Sequence, residues 1–408
     1  MTAARRLLLL LTGINLVNYL DRYVVAAVIE PLGRDLGLTD TQRGWVNGVF
    51  LLAYMVGAPL FGLLADRFHR PRLVAVGVGL WSLATAGACL VHGFWGLLFT
   101  RSLVGVGEAA YASLGPALLA DLFPEDERAA KFTWFYLAIP VGSALGYALG
   151  GIVAQHWGWR QAFLVAGLPG LFFAARMATL ADPPRGGQDQ GADTAAGLSY
   201  GLKLRAILTN RVWVACTGSY VAYTFAMGAL SFWGSAFLQR RHGVSVGAAG
   251  EVFGIFLVVT GILGTFAGGL LTKRLQHRWP DIGVDLSAAT LLLAIPAVFW
   301  ALSSGHLQAT YVAFFAAMLM LFVNTSPVNA LTVSCLPASV RATGTGLNVL
   351  LIHLLGDALS PALVGRVSEA GGAGGAALGR AMLLVIPAIA ASAVALIWAR
   401  RRPAAGLA

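Results

Sequence analysis

Asn15, Asn18, Asp21 and Arg22 interrupt an otherwise apolar run and, at 100° per residue, share an arc of a helix about 120° wide. Arg101 and Glu108 stand at i and i+7 of a second apolar run, on one face, with Tyr111 just beyond. A third run carries His353, Asp357 and Ser360 on a common face. A charge at the centre of a bilayer costs about 2.5–3.5 kcal/mol on insertion scales unless it is paired or hydrated, so each of these groups implies an interior cavity. Two readings stand for Arg22 and Glu108: a structural ion pair locking the first helix against the fourth, or part of an ion or substrate path. Buried pairs add little net stability, which weakens the structural account. Glu108 can claim Arg22, leaving Asp21 as a carboxylate beside an apolar cavity, able to load and release a proton in the physiological range. His353 and Asp357, at i and i+4, are either a hydrogen-bonded packing pair or a titrating imidazole held by a carboxylate.

The elements that must position these groups are membrane helices. Hydrophobic residues make up 58% of the 408 residues and charged residues 11%, and the mean hydropathy is +0.74, far from soluble usage. Twelve apolar runs long enough to cross a hydrocarbon core start near Leu7, Trp45, Leu73, Phe94, Lys131, Arg160, Arg211, Glu251, Leu286, Thr310, Thr343 and Ala376. Arg5-Arg6 and the leucines after them imitate a secretory signal, but the polar residues from Asn15 onward and the want of a small-residue cleavage site make this the first membrane helix. With an internal amino terminus, Arg5, Arg6, Arg67, Arg70, Arg72, Lys273, Arg274, Arg278 and most other cations fall on one side. The positive-inside rule then puts both termini in the cytoplasm of a cell (inner) membrane protein. The formal charge of +10 is therefore topology and no nucleic-acid footprint. Cys89, Cys216 and Cys335 fall within spans and read as small core residues.

The chain repeats itself. Gly62-Leu63-Leu64-Ala65-Asp66-Arg67-Phe68-His69-Arg70 returns as Gly269 to Arg278, and Gly142 to Gly151 returns as Gly356 to Gly365. The polar, Gly- and Pro-rich stretch opening at Asp182 divides the two copies. The expected organisation is all-α and integral to the membrane, in two pseudo-symmetric six-helix bundles, 1–181 and 206–408, joined by a cytoplasmic linker 182–205. Two such halves suit a secondary carrier that rocks about a central site. Gly105, Gly107, Gly142, Gly146 and Gly150 read as close helix packing. The rings of Tyr220, Tyr223, Phe225, Phe232 and Trp233 read as packing or as a cavity wall. Asn324, Ser326 and Asn329 around Pro327 are polar cavity candidates at a loosened backbone. The chain has no phosphate loop, zinc spacing or nucleophile elbow. No cofactor or metal is expected, and the chain is expected to be a monomer.

Gly62-x-x-x-Asp66-Arg67-x-x-Arg70-x-Arg72 resembles the signature between the second and third helices of the major facilitator superfamily, and Arg101 with Gly105 and Gly107 resembles its fourth-helix motif. Asn18-Tyr19-Leu20-Asp21-Arg22-Tyr23, Arg101 to Tyr111, and His353 to Pro361 resemble the Spinster lipid-transporter group. The resemblance implies a proton-coupled carrier of an amphipathic, lysolipid-like substrate. Asp21, Arg22 and Glu108 would serve coupling and gating, joined here by Arg101, His353 and Asp357. Asn15, Asn18, Tyr111, Tyr223, Asn324 and Asn329 are the candidate cavity residues, and Gly62, Asp66, Arg67 and Arg70 the cytoplasmic gate. His69 replaces a usual glycine, Thr272 an acidic residue of the second copy, and Tyr147 the proline of the fifth-helix antiporter motif. A drug or organic-anion carrier, such as one for a sugar acid, is the alternative substrate reading. A non-transporting sensor is another. A lipid-modifying enzyme is a third, because H-x-x-x-D at His353 and Asp357 also resembles an acyltransferase signature.

Overall fold

The computed structural model describes residues 3–184 and 200–400, so 185–199 of the expected linker lies outside the described residues. Every regular element among the described residues is helical. α1 (Ala3–Asp35), α2 (Asp40–Arg67), α3 (Arg70–Gly87), α4 (Phe94–Leu122), α5 (Glu125–Trp157) and α6 (Trp159–Ala178) come first. A short α7 (Tyr200–Thr209) leads into α8 (Arg211–His242), α9 (Val246–Leu275) and α10 (Ile282–Ser303). The remaining spans are segmented. α11 (Leu307–Val323) continues as α12 (Thr325–Ser334), and α13 (Ala338–Leu351) passes through a π turn (Ile352–Asp357) into α14 (Ser360–Ala370). α15 (Gly375–Met382) continues as α16 (Val385–Arg400).

Among the described residues, eleven segments are long and apolar enough to cross a bilayer, and those beginning at Phe94 and Arg211 start where the sequence places them. α1, with 33 residues and a length of about 50 Å, supplies the twelfth; Asn15, Asn18, Asp21 and Arg22 dilute its apolar run. Only helices satisfy every backbone group within a segment in hydrocarbon, which is why the described spans are all helical. The chain divides into two compact units, Met1–Gly191 with Gly234–Val258, and Ala192–Trp233 with Val259–Ala408.

Glycines set the helix spacing in the first unit. A Cβ at Gly142 or Gly146 would lie 2.4 Å from the carbonyl oxygen of Leu16 or Leu20, and one at Gly150 2.8 Å from Val24. This four-residue stripe seats α5 directly on the α1 backbone. In α4, Gly105 faces α2, where a Cβ would meet the Phe50 carbonyl at 2.2 Å, and Gly107 faces α3, where it would meet the Gly77 carbonyl at 2.6 Å. α4 is thereby wedged between α2 and α3.

The repeated motif performs the same task in the second unit: a Cβ at Gly356 would lie 2.1 Å from Thr224 Oγ1 of α8. The turn between α1 and α2 is also fixed locally. Gly37 takes φ +62°, the Leu38 N–H bonds the Gly33 carbonyl at 2.8 Å, and Thr39 and Gln42 exchange the two bonds of a capping box that starts α2.

Gly146→Val should force α1 and α5 apart and destabilise the protein by about 1–3 kcal/mol. Gly218→Ala, where no atom lies within 4 Å of the added Cβ, should leave thermal unfolding in detergent unchanged or raise its midpoint. Equal midpoints for Gly146→Val and the parent would refute the close-approach account.

Candidate functional site

α1 and α4 bring Arg22 and Glu108 together: Arg22 Nη2 donates to Glu108 Oε2 at 2.6 Å. Glu108 is fully buried, whereas the Arg22 side chain keeps 18% of its surface. Three rings surround that guanidinium, with centroids of Tyr19 and Phe50 at 5.0 Å and Tyr54 at 5.5 Å. Arg101, on the same face of α4 as Glu108 as their spacing requires, lies 4.8 Å from the same Phe50 ring. A single buried ring therefore serves two cations, each held by the negative face of its π system.

Asp21 is fully buried beside this pair. Thr85 of α3 donates its hydroxyl to Asp21 Oδ2 at 2.5 Å. Asp21 Oδ1 is 3.8 Å from Arg101 Nη1, attractive by Coulomb's law but beyond hydrogen-bonding reach. Two carboxylates and two guanidinia thus balance in charge without saturating each other. Asp21 Oδ1, Glu108 Oε1, Arg22 Nε, and Arg101 Nε and Nη1 are buried with no hydrogen-bond partner. Buried polar atoms are nearly always paired, so such a concentration of spare valence in one place singles this group out as the candidate site.

Asn15, Tyr111 and Arg70 of the first unit are engaged in packing. Asn15 donates to the Phe135 carbonyl of α5 at 2.9 Å, and Tyr111 donates to the Leu11 carbonyl of α1 at 2.7 Å while its ring meets Trp81 edge-on. Asn18 is buried at 4% exposure. Arg70 is buried at the start of α3 and bonds Asp182 through Nε at 2.8 Å, the Pro183 carbonyl at 2.5 Å, and Asp121 of α4. Gly62 and Arg67 are exposed, and the Asp66 side chain lies outside the described residues. Tyr147, at the antiporter proline position, is fully buried between Tyr23 and Phe253.

In the second unit His353 Nδ1 meets both carboxylate oxygens of Asp357, at 3.0 and 3.1 Å. Both side chains retain about a quarter of their surface, 23% and 24%. They ride on the π turn, where the Ala358 N–H bonds the His353 carbonyl five residues back. Pro361 explains the extra residue, because its ring excludes the ordinary carbonyl of residue 357 and its nitrogen has no proton to donate. Tyr223 meets Thr325 at 3.4 Å, Asn329 donates to Tyr220 at 3.0 Å, and those two tyrosines stack at 5.3 Å. Asn324 bonds the Leu321 carbonyl of its own helix at 2.5 Å. Pro327 frees the Val323 carbonyl, and Gly268 of α9 approaches it so closely that a Cβ would lie 2.0 Å from the oxygen.

Sequence reasoning passed over Thr85, Phe50 and Tyr54. The spacing of Ser82 and Thr85 on one face of α3 was the available signal, but hydroxyls in apolar helices usually bond their own backbone. Removing one member of the Arg22–Glu108 pair strands the other. Glu108→Leu alone should cost about 3–5 kcal/mol, and Arg22→Met with Glu108→Leu much less. A thermal-unfolding double-mutant cycle measures the difference; additive losses would show that the pair is not coupled.

Residues 11–361 match the family model described as Major Facilitator Superfamily. Protein spinster homolog 1 of Homo sapiens is 36% identical over 378 residues, which cover 87% of this chain and 71% of that one. Protein spinster homolog 3 of Danio rerio is 35% identical over 373 residues, 87% and 75% of the two chains. In fold, the chain is similar to a crystal structure of a bacterial homolog to the human lysosomal transporter Spinster, in an inward-facing and unoccupied conformation. The TM-score is 0.85 at 24% identity, covering 98% of this chain and 96% of that one. These relatives are carriers and not enzymes, which sets aside the acyltransferase reading of His353 and Asp357. With its apolar helical spans, two echoing motifs and a buried charge group on α1 and α4, the chain belongs to the major facilitator superfamily of transporters and, within it, to the Spinster family.

Proposed function

We propose that this membrane carrier is a proton-coupled secondary transporter working by alternating access, and that its substrate is amphipathic and lysolipid-like. The observation that carries the reading is Asp21, fully buried and bonded to Thr85, with Arg101 at 3.8 Å. Ionised, Asp21 draws Arg101 toward itself. Protonated, it releases Arg101 to compete for Glu108, and the Arg22–Glu108 pair loosens. A proton moves the equilibrium between two arrangements only because it binds one of them more tightly, and full reversal of a 1:99 population takes about 5.5 kcal/mol. His353 and Asp357 form the second titratable pair of the proposal.

The accessible flank of Arg22, walled by Tyr19 and Tyr54, suits a molecule with an anionic head and an apolar body. Asn15, Asn18, Tyr111, Tyr223, Asn324 and Asn329 complete the proposed cavity set, with Asn15 and Tyr111 acting from their helix–helix bonds. Bundles 1–181 and 206–408, linked through 182–205, would rock with both termini cytoplasmic in the cell membrane. Gly62, Asp66, Arg67 and Arg70 would fasten the cytoplasmic side, and the carrier would work as a monomer.

Uptake or counterflow in proteoliposomes under an imposed pH gradient tests the coupling. Asp21→Asn should lower gradient-driven accumulation about tenfold or more while substrate still raises the thermal midpoint by mass action. Full coupling in Asp21→Asn would end the assignment. Stabilisation by sugar acids or hydrophobic cations, with none by lysolipids, would replace the substrate class.

A further inference from the structure

At the opposite end of α2 from the Gly62–Arg70 motif, about 40 Å away along the helix, a second group of charges is buried. Glu30 of α1 and Asp40 at the start of α2 are 4% and 3% exposed. Arg240, in the last turn of α8, uses its whole guanidinium on them. Nε donates to Glu30 Oε2 at 2.6 Å, and Nη1 and Nη2 donate to the two oxygens of Asp40 at 2.8 and 2.7 Å. Arg43 Nη1 bridges the same carboxylates at 3.1 and 3.3 Å. Its side chain crosses α1 at Gly33, where a Cβ would sit 2.0 Å from Nε.

Beside these charges α5 and α9 meet along a backbone seam. A Cβ at Gly250 would lie 2.4 Å from the Tyr147 carbonyl, one at Gly254 2.8 Å from the Ala144 carbonyl, and one at Gly151 2.7 Å from the Val246 carbonyl. The Gly247 N–H donates to Gln155 Oε1 at 2.9 Å. Gly234–Val258, the end of α8 and the start of α9, belongs to the first compact unit, while the remainder of both helices belongs to the second.

We propose that Glu30, Asp40, Arg43 and Arg240 are an ionic latch that closes the non-cytoplasmic side of the carrier, with the α5–α9 glycine seam as the surface it holds shut. The proposal rests on the transporter reading, since alternating access requires this side to part once in each cycle. The composition of the contact suits parting. A permanent joint gains most from apolar side chains, and a buried ion cluster in their place adds little net stability. When the joint opens, its four charges meet water and recover their hydration, whereas exposed leucines would not. Arg240 supplies the direction, because its planar fork matches Asp40 in one geometry only.

The test uses the full chain with Cys89, Cys216 and Cys335 replaced by alanine, and with Gln155→Cys and Gly247→Cys introduced. A Cβ at Gly247 lies 3.8 Å from that of Gln155, within disulfide geometry. The first readout needs no substrate. Oxidative cross-linking should be near complete with the latch intact and should fall about threefold or more at fixed time with Arg240→Ala or the isosteric Asp40→Asn. Equal yields in all three would overturn the latch. Monodisperse elution establishes folding, and Arg240→Lys, which keeps the charge and loses the fork, substitutes if Arg240→Ala does not fold. The second readout is counterflow in proteoliposomes, which should be lost on oxidation and restored by reductant. Undiminished counterflow in the oxidised protein would show that the seam never opens and would also overturn the proposal. A reduced protein that moves no solute counts against the transporter reading, and the cross-linking yields then decide the latch alone.

Discussion

An ion in hydrocarbon must have a partner, and in this chain that requirement dictates helix placement more than apolar packing does. Asp21 and Glu108 sit at zero exposure, so α3 must bring Thr85 and α4 must bring Arg101 within reach, while α2 must lay Phe50 between two guanidinia. Lipid-facing leucines could rotate by a few degrees at no cost; these helices cannot. The glycines answer the same demand. Gly105 and Gly107 let α4 press against the backbones of α2 and α3, and Arg101 on the same helix lies against the Phe50 ring of α2.

The polar groups of the first unit divide by how completely they are satisfied. Arg70 and Arg240 each fill their guanidinium with carboxylate and carbonyl partners, whereas Arg101 leaves Nε and Nη1 unbonded. Saturated arginines hold one structure, because any displacement breaks several charge-assisted bonds at once. Unsaturated ones have somewhere to go. On the proposed reading, the contrast separates groups that fasten an end of the bundle from groups that exchange partners inside it.

The span pattern and the buried charges of α1 and α4 were legible because an ionised residue in an apolar run has few explanations, and because helical periodicity fixes which charges share a face. Long-range partners were not legible. Arg240 looks like any basic residue ending a helix, and nothing local ties it to Asp40 two hundred positions earlier. Thr85 looked like an ordinary hydroxyl. Asn15 and Tyr111 showed the limit of residue type as a guide: an amide or phenol suited to a cavity is equally suited to a neighbouring carbonyl, and both make that bond. Pairing of His353 with Asp357 followed from their spacing, but the π turn beneath them depends on Pro361 and on the Thr224 hydroxyl, which bonds the Ile352 carbonyl from α8 at 2.9 Å.

That turn holds one residue more than an α-helix would need between the same two ends. Deleting a residue from Ile352–Asp357 would rewind the strand of hydrogen bonds into regular form and turn everything before it by about 100° against Ser360–Ala370. His353 would then point to a different neighbour with no change in its chemistry. Chain length at this one point is thus a rotary setting for the span, able to redirect an imidazole without altering a single side chain elsewhere.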